Sequence, residues 1–192
     1  MPILLDALDT CLLVVDPCSQ HLNHLPQLVQ KQLAARFQML IGAASAVEVP
    51  CHYVLENAAA RKSVIVPVPS DQQRVYTLPD IGPAWHQSGV ADALVAANRT
   101  RLVISGFWLE RRVSFFALCA LSTGFDVYLL TDLAPACADY ARAPSLFRLW
   151  QAGATPMTTH QLIAEWAEQT TDRGVRAHLI GLVMLDSAFP QP

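Results

Sequence analysis

The sequence predicts a three-layer α/β domain built on a parallel sheet, and three observations carry that prediction. Short continuous apolar runs recur, as in CLLVV at 11–15 and RLVISG at 101–106, and such runs suit strands buried on both faces. Segments with apolar residues at helical spacing separate them, so strands alternate with helices and the sheet should be parallel, covered on both sides. The length, 192 residues, suits one domain with a sizeable core. Residues 1–192 read as that single domain, without repeat or linker.

The elements follow in order. CLLVV ends at Asp16, which places a carboxylate at the end of the first strand. Pro26 then opens a long amphipathic helix, QLVQKQLAARFQMLIGAASA. Pro50 ends it, and CHYVLE is the second strand. Residues 57–72 mix small residues and prolines and read as irregular. RVYTL at 74–78 is a short third strand, PDIGPAW a loop, and HQSGVADALVAAN a helix with Ser88 as a cap. RLVISG is the fourth strand, followed by a helix from about Arg111 to Ser122 that Gly124 closes. DVYLLTD is the fifth strand, again ending in an acid, Asp132. PSLFRLWQAG is a helix closed by Gly153, TPMT a sixth strand, and HQLIAEWAEQ and RGVRAHLIGLVML are helices.

Composition narrows the function classes. The chain is 53% hydrophobic and 15% charged, with mean hydropathy +0.30. No apolar run reaches the roughly 18–20 residues of a membrane span. MPILLDALDT has no basic start and carries two acids, unlike a signal peptide. A cytoplasmic protein is expected, its apolar excess spent on a homo-oligomer interface. The surface expected there is Phe107–Phe116 or the C-terminal segment LIGLVML at 179–185. Net charge −3 and a pI near 6.0 argue against nucleic acid or anionic membranes as partners. The five cysteines form no CxxC pair and read mainly as small buried hydrophobes. His21 and His24 stand three apart, but no cluster completes a metal site. No metal and no cofactor are expected.

In an open parallel sheet the ligand site lies beyond the carboxyl ends of the strands, at the switch point in strand order. Asp16, the turn Gly106–Arg112 and Asp132 are the chemically loaded ends. The turn GFWLERRV lacks the dinucleotide, P-loop and nucleophile-elbow patterns.

LLVVD at 12–16 with RLVISGFWLERRVSFFALCALSTGFDVYLLTD at 101–132 resembles the isochorismatase-like (cysteine hydrolase) superfamily. PDIGPAW at 79–85 and WQAGATPMTTHQLIAEW at 150–166 resemble its bacterial branch of uncharacterised ring-forming cysteine hydrolases. The resemblance implies a Rossmann-like sheet in the order 3-2-1-4-5-6. It also implies a catalytic Asp, a Lys and a Cys. The Asp position is Asp16. The basic position falls on Leu78, counting back from Trp85. The nucleophile position falls on Arg112, with Gly106 and Val113 pinning the register. Leu109 replaces the usual Thr, and Cys18 replaces a frequent Gln. A cis, non-proline peptide is expected at Trp108–Leu109.

Arginine stays protonated, with a pKa of about 12.5 or above, and can act neither as nucleophile nor as base. The leading reading is therefore a catalytically degenerate member, a pseudoenzyme that binds a small molecule or serves a structural role. In it, an Arg112–Asp16 pair plugs the pocket. The alternative is a cysteine-independent hydrolase with Asp16 as general acid, and a third reading makes Cys18 the nucleophile. Trp85 and Trp108 would flank the site as a flat wall for an aromatic or amide ligand, or pack in the core.

Overall fold

The structure, a computed structural model, describes residues 4–65, 73–79 and 83–186. Residues 66–72 of the irregular stretch and Asp80–Gly82 of the following loop lie outside it. Six strands, β1 (Thr10–Val15), β2 (Cys51–Leu55), β3 (Gln73–Thr77), β4 (Arg101–Gly106), β5 (Asp126–Leu130) and β6 (Thr155–Met157), form one sheet. Their order is β3-β2-β1-β4-β5-β6, and every pairing is parallel. β1, at the centre, is buried along its whole length, as its unbroken apolar run requires.

Among the described residues, eight α-helices surround the sheet: α1 (Ser19–Leu22), α2 (Gln27–Ala46), α3 (Ala84–Gln87), α4 (Val90–Ala96), α5 (Ser114–Thr123), α6 (Asp139–Gln151), α7 (Thr159–Gln169) and α8 (Arg173–Asp186). One core joins one face of the sheet, with Val14, Tyr53 and Val103, to α2, α7 and α8. The other joins Leu13, Val15 and Ile104 to α3–α6. Phe37 and Leu40 of α2 are sealed, and burying side chains of this kind contributes about 1.5–3 kcal/mol each.

Three element boundaries differ from the sequence reading. The helix expected across 86–98 is two pieces, because Gly89 at φ +77 breaks it; the Ser88 hydroxyl accepts from Val90 N. The helix expected from Arg111 begins at Ser114, after a wide π-type turn over Leu109–Val113 in which Arg111 has non-helical angles. α6 starts at Asp139 and carries Pro144 inside it, so the proline does not open the helix.

No helix among the described residues is long and apolar enough to cross a membrane. The stretch Phe107–Phe116 is mostly internal: Phe107, Leu109, Val113 and Phe116 are buried, and Phe115 is exposed. The C-terminal segment buries Leu179 and exposes Ile180 and Met184. The most exposed aromatics, Tyr140, Phe147 and Trp150, lie on α6, a surface the sequence reading did not single out.

Candidate active site

The site forms where β1 and β4 end side by side, with Val15 opposite Gly106. Gly106 has φ +124, and a Cβ there would sit 1.9 Å from the Val15 carbonyl oxygen. Only glycine lets the chain turn so close to its neighbour. Phe107 N then donates to Val15 O at 2.8 Å, and Gly106 N to Leu133 O at 2.8 Å. A cis peptide follows at Phe107–Trp108, one bond earlier than expected: the turn starts directly off the Gly106 contact.

Asp16 is the residue after β1. It is 2% exposed and has φ +48, a left-handed conformation that Asp tolerates better than most residues and that clusters at functional sites. Both of its oxygens are occupied. Oδ1 accepts from Glu56 N at 3.2 Å and from Cys18 Sγ at 3.4 Å. Oδ2 meets His21 Nε2 at 2.6 Å. Burial would raise the Asp16 carboxyl, but the hydrogen bond from His21, that from Glu56, the His21 electrostatic attraction and the Cys18 thiol outweigh it. They hold the carboxyl below its ordinary value.

The expected Arg112–Asp16 pair is therefore not formed. Arg112 Nη2 donates to Glu56 Oε1 at 3.3 Å, with both side chains more than a third exposed. The physical reason is local. Asp16 is already satisfied by groups from its own turn and from the end of β2, while Arg112 leaves the π-type turn farther out and meets the exposed Glu56. Exposed pairs contribute about 0.2–1 kcal/mol. Arg112→Ala is accordingly expected to lower stability by no more than about 1 kcal/mol in chemical denaturation, where a buried pair with Asp16 would have given about 3–5 kcal/mol.

A cavity of about 820 Å³ opens over these groups, and Asp16, His21, Glu56, Trp108, Arg111 and Arg112 are among its walls. His21 stacks on Phe107, with centroids 5.4 Å apart, and meets Trp108 edge-on at 5.5 Å. His24 also faces Trp108 and shares the cavity. Among the described residues no three ligating side chains gather into a metal cluster.

The other sequence-expected positions fall elsewhere. Trp85 is in the core, tilted against Phe116, and Leu78 and Leu109 are in the same core; none of the three is among the cavity walls. Trp85 thus forms no wall for a ligand, whereas Trp108 does. Asp132 accepts from Thr159 N at 3.0 Å and serves the start of α7. Cys18 is fully buried, and its thiol is pushed up to about 12 by burial and by the Asp16 charge, which counts against it as a nucleophile. The cysteine at the cavity is the exposed Cys137, on the loop after β5. A thiol reagent is expected to label Cys137 first and to leave Cys18 unmodified in the native protein. Peptide mass mapping reads this directly, and rapid modification of Cys18 would contradict the burial argument.

Sequence reasoning missed His21 as the partner of Asp16. The available signal was an imidazole five residues after the strand-end acid, within a short turn.

Comparison with known proteins agrees with this architecture. The "Probable hydrolase YcaC" of Escherichia coli (strain K12) is 37% identical over 75 residues, 39% of this chain and 36% of that protein. The matched stretch thus spans about a third of the relative. The crystal structure of the Escherichia coli YcaC gene product, an octameric hydrolase of unknown specificity, superposes with a TM-score of 0.80. That match has 24% identity, covering 97% of this chain and 93% of that one. YcaC from Pseudomonas aeruginosa, solved with hexane-2,5-diol and covalent acrylamide, gives 0.80 at 21% identity over 98% and 95%. The Isochorismatase domain model matches residues 10–161, and the chain belongs to that family.

Proposed function

We propose that this chain is an isochorismatase-family protein from which the cysteine chemistry is lost, while the pocket is kept for a small planar molecule bearing a carboxylate. One observation carries the reading: Arg112, at the position the resemblance assigns to the nucleophile, is tied to Glu56 on the cavity wall. Leu78, at the basic position, packs in the core. The pocket is lined rather than plugged. Asp16 is matched by His21 and Glu56 by Arg112. Arg111 has no carboxylate partner among the described residues and faces the same cavity, where a guanidinium fork suits a carboxylate. Trp108 and Phe107 supply a flat apolar side. Asp16 as a general acid is disfavoured, because a proton donor near neutrality needs a raised pKa and this carboxyl is lowered.

The protein would act in the cytoplasm as a homo-oligomer. The octameric Escherichia coli relative and the exposed aromatics of α6 support assembly. Light scattering showing a monomer at micromolar concentration would refute it.

The test of the pocket is calorimetric titration with benzoate and with benzamide. Benzoate should bind, benzamide should bind more weakly, and Arg111→Ala should weaken benzoate by about tenfold. Arg112→Cys should leave benzamide unhydrolysed, since no lysine stands at position 78. Equal binding of the two compounds, or hydrolysis by Arg112→Cys, would sink the reading.

A further inference from the structure

We propose that His21, oriented by Asp16, is a general base that activates water in the cavity, giving the protein a cysteine-independent hydrolysis of small carboxylate-bearing esters; the substrate class rests on the reading of Arg111 above.

The pair is built asymmetrically. Asp16 is almost wholly buried, and its Oδ1 is engaged by Glu56 N and Cys18 Sγ, which leaves Oδ2 to His21. The His21 side chain, 14% exposed, is part of the cavity wall. Asp16 also borders the cavity but is almost sealed, so the imidazole is the member of the pair that meets its space. A general base has to reach water while its orienting acid stays dry. With Nε2 on the carboxylate, the neutral imidazole keeps its proton there, and its lone pair falls on Nδ1. Phe107 and Trp108 hold the ring from two sides, so its orientation does not depend on Asp16 alone.

The step balances without a further reactant. Water oxygen bonds to the ester carbonyl carbon as His21 Nδ1 takes one proton. The carbonyl π electrons move to oxygen, beside Arg112, whose guanidinium keeps further N–H donors after Nη2 bonds Glu56. The carbon–oxygen bond to the alcohol then breaks, and His21 returns its proton to the leaving oxygen. Arg111 holds the distal carboxylate. Among the described residues, the other charged and titratable groups on the cavity wall are Asp16, His24, Glu56, Arg111, Arg112 and Cys137. Among them Asp16 is in direct contact.

The test uses the full chain with mono-4-nitrophenyl succinate and 4-nitrophenyl acetate. The wild type should hydrolyse both faster than buffer, without a burst. His21→Ala should lower kcat by on the order of 10²-fold or more, and added 4-methylimidazole should restore part of the loss. Asp16→Asn, changing a positioning residue, should lower kcat with KM held and displace the acid limb of the pH profile. His21→Gln gives the same comparison if the alanine variant folds poorly. A wild-type rate equal to buffer, an unchanged kcat in a folded His21 variant, or an acyl adduct on Cys137 would overturn the proposal. Arg111→Ala should raise KM for the succinate ester alone. Should it affect neither ester while His21 affects both, the dyad stands and the carboxylate reading falls.

Discussion

A single methyl group at residue 106 is expected to cost the protein most of its stability. A Cβ on Gly106 would lie 1.9 Å from the Val15 carbonyl oxygen and 2.6 Å from Val15 C and N. These are backbone atoms of the central strand, which pairs with β4 over six residue positions from Thr10 to Val15. A side chain could rotate away from such a contact; a strand held on both sides cannot. The φ of +124 adds strain for any residue with a Cβ. Relief of the clash would break Phe107 N to Val15 O and Gly106 N to Leu133 O, the bonds that launch the turn at the candidate site. Gly106→Ala should therefore destabilise by about 4 kcal/mol or more. Gly153→Ala is the comparison: φ is +105, but the nearest atom is a Leu121 methyl at 3.8 Å, so a cost near 1 kcal/mol is expected from backbone strain. Urea denaturation of the two variants checks the contrast, and similar midpoints would contradict it.

The second large effect is expected at Asp16. Asp16→Ala leaves the Glu56 N–H, the Cys18 thiol and the His21 Nε2 without their shared acceptor. It also places alanine at φ +48. Removing one partner of a buried pair costs about 3–5 kcal/mol, and the backbone adds to this. Asp16→Asn keeps the shape and the tolerance for left-handed φ, so its cost should be smaller. The pH dependence has a definite sign. The folded carboxyl is held below its ordinary value, so its contribution is complete above about pH 4, where the unfolded carboxylate titrates. It is lost as pH falls through the lower folded value. Wild type should lose more stability between neutral and acid pH than Asp16→Asn. Denaturation at a series of pH values measures this, and parallel curves would contradict it.

The fold was legible where local pattern and burial coincide. β1 and β4 are continuous apolar runs because both faces are covered, and their ends, Asp16 and Gly106, follow from those runs. Boundaries were less legible where one residue overrides periodicity. Gly89 splits an apolar-periodic segment by adopting φ +77, and Pro144 sits inside α6, on an exposed face. Arg111 leaves helical geometry in a stretch whose composition gives no sign of it.

At the site, position was legible and pairing was not. The chain order brings Asp16 and Arg112 to the same end of the sheet, as expected. Which carboxylate Arg112 meets depends on how far each side chain stands from the sheet, a quantity that spacing does not encode. Asp16 found a nearer partner in His21, and Arg112 took Glu56. The tryptophans divided for a similar reason: Trp85 lies under α5 against Phe116, whereas Trp108 follows the cis peptide to the cavity.

Asp16 belongs to His21, and Arg112 is left at the pocket with Glu56. Double-mutant cycles on unfolding free energy measure this pairing, using Asp16→Asn with His21→Gln, Arg112→Ala with Glu56→Gln, and Asp16→Asn with Arg112→Ala. The Asp16–His21 cycle should give the largest coupling, above about 1.5 kcal/mol, as expected for a close, mostly buried hydrogen-bonded pair. Arg112–Glu56 should give about 0.2–1 kcal/mol, and Arg112–Asp16 should add within about 0.5 kcal/mol. A coupling between Arg112 and Asp16 larger than that between His21 and Asp16 would contradict the account.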